Sequence, residues 1–206
     1  GKNSLYRLGD LFRTTIGSLV QSGVSTSMKP APNGLELVIS QGIIWHLLDK
    51  LEITETSEFT KLFNSANNFL VDSTDLNTIN NTLYNVRTNP SNSALVEMTN
   101  GYYKKDIIVL TPSDKAYYVY GTSEWATEDE AKIAPSPLVP ETIKHSVVRS
   151  AALIVQKGAA TPSLVLDIRP IFTNLFETGA AASNATIISH GDLIDLNSDD
   201  HSLYHT

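Results

Sequence analysis

The sequence predicts a mainly β protein: an antiparallel β-sandwich or barrel-like domain over residues 34–172, flanked by an N-terminal segment, 1–33, and a C-terminal segment, 173–206. Three observations predict it. Short apolar runs with alternating or β-branched character recur between clusters of Gly, Pro, Asn and Asp, the pattern of strands joined by turns. Convincing helical spacing is scarce. Charged residues make up only 18% of the chain, against roughly 25% in an average soluble domain, and Ser, Thr and Asn supply the rest of the polar surface while 41% apolar residues suffice for a core.

The elements follow in order. Leu5, Leu8, Phe12, Ile16 and Leu19 fall three and four apart, one face of a helix, although Thr14, Thr15 and Gly17 weaken helix formation. The segment is expected to be helical or extended, lying on the domain body or anchoring the chain to a partner. Residues 25–33, with Pro30, Pro32 and Asn33, read as a linker. The period then changes to two: Leu37 to Ile39, a break at Gln41-Gly42, and Ile43 to Trp45 give two strands. Residues 52–88 are ambiguous, with Asn64, Asn67 and Asn68 arguing against a helix; strands near 58–63 and 68–72 are favoured, with polar loops around 73–82 and 88–94. Lys105–Leu110 (KDIIVL) and Ala116–Tyr120 (AYYVY) form a hairpin across the Thr111–Asp114 turn. Residues 124–142, carrying Pro135, Pro137 and Pro140, should be an ordered, extended excursion. Val147–Gln156 and Ser163–Arg169 make a second antiparallel pair.

Composition excludes several functions. A net charge of −7 and a basic run no longer than Lys104-Lys105 leave no stripe to displace counterions from nucleic acid. With no cysteine, disulfides, thiolate metal sites and a Cys nucleophile are ruled out. No run nears the ~20 apolar residues of a transmembrane helix, so no membrane insertion is expected, and the N-terminus lacks a signal pattern. G-x-S-x-G, Walker A, H-E-x-x-H and G-x-G-x-x-G are all missing. The expectation is a protein that is not an enzyme and carries no cofactor.

A few constellations could still carry chemistry. His201 and His205, beside Asp199 and Asp200, are ligand types a divalent metal accepts; the plainer reading is a polar turn whose carboxylates cap backbone N–H groups, with no metal. Three parallel chains would bring three copies of each histidine to one axis, where a transition metal could bind. Asp167 and Arg169 share one strand face, as expected of a cross-strand or subunit ion pair. Trp125 stands among Glu124, Glu128, Asp129 and Glu130: it either anchors its loop to the body or stacks on a sugar ring, with Tyr117, Tyr118 and Tyr120 as further aromatics.

Two stretches resemble tail-fibre and baseplate-associated proteins of tailed bacteriophages. Across 101–170 the order is KDIIVL, AYYVYG, an acidic loop with Ala134–Pro140 (A-P-x-P-L-V-P), SAALIVQKGA at 150–159 and LVLDIRP at 164–170. At the C-terminus, His190, Leu193, Leu196, Asp199, Asp200, His201 and Tyr204 match the H-x-x-L-x-x-L-x-x-D-D-H-x-x-Y element found where such fibres enter their shaft. LVISQGIIW at 37–45 is similar to the strand pair that opens the same domains. The resemblance covers roughly two thirds of the chain. It implies a homotrimer attached to tail or baseplate proteins, assembled in the host cytoplasm, part of the virion, and meeting the host surface through a distal tip beyond Thr206. On this reading Leu5, Leu8, Phe12 and Ile16 dock the chain, residues 34–172 form a collar, and His190, Leu193, Leu196, Asp199, Asp200, His201 and Tyr204 begin the shaft. The alternative is a carbohydrate-binding module that contacts the host surface directly through Trp125.

Overall fold

The computed structural model describes residues 17–171, apart from 48, 66–67 and 88–92. The described residues are mainly β, with several antiparallel sheets and one short helix. A three-stranded sheet is formed by β1 (Ser18–Gly23), β4 (Gly42–His46) and β5 (Asp49–Ile53) in the order β1-β4-β5; β2 (Thr26–Met28) pairs with β3 (Leu37–Ile39). The largest sheet takes β6 (Phe59–Ser65), β7 (Asn68–Leu76), β10 (Tyr103–Leu110), β11 (Ala116–Val119), β13 (Val148–Gln156) and β14 (Leu164–Asp167) in the order β14-β13-β10-β11-β6-β7, with β12 (Glu124–Trp125) also pairing β10; β8 (Leu83–Arg87) and β9 (Ser93–Glu97) form a separate hairpin. Every neighbour pair in the large sheet is antiparallel except β11 and β6, which run parallel with Tyr118 opposite Lys61.

The sheet centre is buried on both faces, which explains why the second half of β10, Ile107–Leu110, is apolar at every position. Strand alternation sends Ile108 and Leu110 to one face, where they meet Phe59, Tyr118, Ala151, Leu153 and Val155 and the inner residues Val20, Leu37 and Ile44 of the smaller sheets. Ile107 and Val109 go to the other face, with Leu62, Val119 and Ala152, under Val139 from the proline-bearing segment and Val147 just before β13. Ile107, Ile108, Val109 and Leu110 have no measurable exposure, and each such side chain contributes about 1.5–3 kcal/mol by leaving water.

The strands near 58–63 and 68–72 form as one hairpin, β6–β7, and the pairs β10–β11 and β13–β14 form as the alternation predicts. Four readings are corrected. The helical spacing ending at Leu19 does not extend into the described residues, because Ser18–Gly23 is a strand paired with β4. The expected linker 25–33 contains β2, tied to β13 by Thr26 Oγ1 to Ser150 Oγ at 2.7 Å and by Ser150 Oγ donating to the Val24 carbonyl at 2.7 Å. The excursion 124–142 holds β12 and a helix, α1 (Glu128–Ile133). Thr127 and Glu130 build its capping box: the Glu130 N–H donates to Thr127 Oγ1 and the Thr127 N–H to Glu130 Oε2. The loops expected around 73–82 and 88–94 likewise give way in part to β7 and β9.

Candidate functional site

β10 opens with Tyr103, Lys104, Lys105 and Asp106. Because successive side chains of a strand point to opposite faces, Lys104 and Asp106 enter the larger core while Lys105 enters the other. Lys104 and Asp106 are both without exposure, and their charged ends lie 2.8 Å apart. Lys104 Nζ also donates to the Leu83 carbonyl (2.8 Å) and to Tyr118 Oη (2.9 Å), so all three of its protons have acceptors. The Tyr118 hydroxyl donates to Asp106 Oδ2, and the Gly121 N–H donates to Asp106 Oδ1 at 2.6 Å. Lys104 Nζ lies 5.0 Å from the Tyr120 ring centre and 5.6 Å from that of Tyr118, within cation–π range.

Burial governs the proton affinities of this cluster. It holds Lys104 below the ordinary lysine value and Asp106 above the ordinary carboxyl value, and the attraction between them opposes both shifts. Burial, then the Asp106 charge, pushes the Tyr118 phenol well above its ordinary value. Gly121 makes the arrangement possible: a Cβ there would stand 2.5 Å from the Lys105 carbonyl oxygen. The cluster has the residue types of proton-transfer chemistry but no access, so no substrate reaches it. Its chemistry is internal: it fixes the register of β10, β11 and the start of β8.

On the opposite face, Lys105 Nζ donates to the carbonyls of Lys132 (2.9 Å) and Ala134 (2.6 Å). It thereby satisfies carbonyl groups that the end of α1 leaves without intrahelical partners, and desolvation lowers its own proton affinity. This pins the start of the proline segment beside β12. Between them lies an open hollow of about 310 Å³, lined by Thr122, Ser123, Trp125, Pro135, Ser136 and Leu138. Trp125 is positioned by pairing with Tyr103, and the neighbouring Glu124 carboxylate accepts from the Thr99 N–H (2.6 Å) and Oγ1 (2.7 Å).

Trp125, singled out in the sequence, therefore lies half-buried in the wall of an open hollow. Tyr118 and Tyr120 are core residues and Tyr117 packs against the second core cluster, so none of the three tyrosines joins it. Asp167 and Arg169 pair with one another, Nε to Oδ1 at 2.8 Å and Nη2 to Oδ2 at 2.5 Å, rather than across strands, and Arg169 Nη1 donates to the Gly23 carbonyl. Leu5, Leu8, Phe12 and Ile16, and His190, Leu193, Leu196, Asp199, Asp200, His201, Tyr204 and His205, lie outside the described residues. Among the described residues no group of His, Asp or Glu is placed to hold a metal, and no helix is long and apolar enough to cross a membrane. From sequence, Lys104-Lys105-Asp106 reads only as a short basic run neutralised by its neighbour; the signal that marks it as buried is that the triplet continues directly into the apolar IIVL of a core strand.

No family model, curated protein or solved structure matches the chain.

Proposed function

We propose that the chain is a structural virion protein of a tailed bacteriophage, the virion-proximal part of a homotrimeric tail fibre that attaches to tail or baseplate proteins and supports host adsorption. It is non-enzymatic, and its sandwich-like β-domain serves as a collar from which a shaft and receptor-binding tip continue. The observation that carries this reading is the order of the motifs that resemble such fibres: KDIIVL, AYYVYG, SAALIVQ and LVLD occupy β10, β11, β13 and β14, which are contiguous in one sheet. A second observation agrees with a mechanical role. The ionisable cluster at the sheet centre is sealed and fully hydrogen-bonded, a device for a single rigid register.

Light scattering on the chromatographed chain is expected to give three times the 22.5 kDa chain mass, and mass spectrometry of purified virions of the encoding phage should find the chain among their proteins. A chain missing from those virions would overturn the reading whatever its oligomeric mass.

A further inference from the structure

The hollow around Trp125 combines three properties. First, its walls are an indole ring, Pro135 and Leu138, the last 60% exposed and so held out toward solvent at the rim. Second, among the described residues the indole N–H of Trp125 and the hydroxyls of Thr122, Ser123 and Ser136 have no protein partner. Each hydroxyl can donate and accept, and the indole can donate. Third, the walls are fixed in advance: β12 is paired to β10, Glu124 is held by Thr99, and Ala134, next to Pro135, is held by Lys105. The other tryptophan provides the contrast. Trp45, on β4, is 37% exposed, and its N–H is taken by Gln21 Oε1 at 2.8 Å.

We propose that this hollow is a binding site for neutral pyranose sugars, with Trp125 as the stacking platform. A pyranose ring presents an apolar C–H face and a rim of hydroxyls, so it needs one flat apolar surface and several adaptable polar groups around it. Amphipathic aromatic rings and hydroxyl side chains give this combination at low entropic cost. The volume sits at the low end of ligand sites, which run from about 300 to 1,000 Å³, and fits a short stretch of glycan. The lining carries no Lys or Arg, and Glu124, Glu128, Asp129 and Glu130 stand between its lining residues in sequence. Sulfated or carboxylated sugars are therefore repelled and neutral ones accepted. The inference rests on the hollow alone and is independent of the fibre reading.

The chain has two tryptophans, so Trp45→Phe leaves Trp125 as the sole indole reporter. Titrating this variant with neutral di- and trisaccharides of glucose, galactose, mannose and rhamnose is expected to give a saturable emission change with at least one. Sulfated and uronic-acid counterparts should give none. In the natural chain, calorimetry with the same sugar should show binding weakened at least tenfold by Trp125→Ala. Leu138→Asp, at the exposed rim, is the second variant and should abolish binding without loss of cooperative unfolding. The proposal is overturned if no neutral sugar of the panel gives saturable binding, or if both variants bind as the natural chain does. It is also overturned if either variant changes the oligomeric mass in sugar-free buffer, which would make the hollow a contact between copies of the chain.

Discussion

Lys104 and Lys105 are neighbours in sequence and identical in chemistry, yet they act on opposite sides of one strand in different ways. Lys104 is sealed, with a carboxylate, a carbonyl and a phenol as its acceptors. Lys105 reaches through the second face to two carbonyls at the end of α1, close to an open hollow. What decides the worth of a buried charge is the compensation lost when its partner is removed. An ion pair taken from water gains little net stability, since desolvation offsets most of the attraction, but one member left alone is costly. A lysine bonded to helix-end carbonyls leaves behind only neutral groups, which water at the edge of the fold can satisfy.

The contrast between the two lysines should be sharpest at Asp106. Asp106→Ala strands Lys104, without exposure, and removes the acceptor of the Tyr118 hydroxyl and the Gly121 N–H. A loss of about 3–5 kcal/mol should follow, read as a fall in the urea midpoint at unchanged slope. The variant Lys104→Met/Asp106→Leu/Tyr118→Phe, which removes both charges and the phenol, should lose less than Asp106→Ala alone. If it loses more, the cluster stabilises through hydrogen bonding beyond charge pairing, and a stranded Lys104 charge is not what makes Asp106→Ala costly.

Lys105→Met should have a smaller and more local effect. The side chain keeps its apolar stem in the second core, but the carbonyls of Lys132 and Ala134 lose a charged donor. We expect about 1–2 kcal/mol, with amide hydrogen exchange accelerated across 131–139 and unchanged in β13. Exchange that accelerates equally in β13 would show that Lys105 supports the whole sheet, erasing the distinction between the two lysines.

The same pair of faces marks what is legible in the sequence. Periodicity locates β10 and β13, because strand segments buried on both faces must be apolar at nearly every position, and β11 and β14, because turns set off their short apolar runs beside them. The β6–β7 hairpin is legible because Asn64, Asn67 and Asn68 argue against a helix. β1 and β2 are not. Leu19 completes a helical spacing by coincidence, and β2 lies between proline and glycine signals; both strands are stabilised by distant partners, β4 and Ser150, that local pattern does not reveal. α1 is hidden by the prolines that follow it, although the capping-box pair Thr127 and Glu130 is visible. Trp125 stands out from its type and its acidic neighbours. Its setting depends on Pro135, Ser136 and Leu138 being folded back toward it by the Lys105 contact, which residue order alone does not convey.

A pair fully outside this contrast calibrates it, with the least change of all. Asp167 and Arg169 sit two apart at the end of β14, with the carboxylate 52% exposed and the guanidinium 16%. Hydrogen bonding to Arg169 holds the Asp167 carboxyl below its ordinary value of 3.8. A carboxyl whose folded value is depressed contributes stability that is fully present above the unfolded value and is lost as pH falls through the folded one. The window therefore lies in acid, from just above pH 3.8 downward. Because solvent screens a half-exposed pair, the contribution is about 0.5 kcal/mol. Asp167→Asn should reduce neutral-pH stability by that amount and leave a shallower decline in acid, measured by urea unfolding at successive pH values. Arg169 would keep its contact with the Gly23 carbonyl, so the tie between β14 and the β1–β2 turn survives. A loss at neutral pH approaching that of Asp106→Ala would mean that exposure does not separate the two carboxylates, and that the sealed cluster of β10 is not the special case the two lysines suggest.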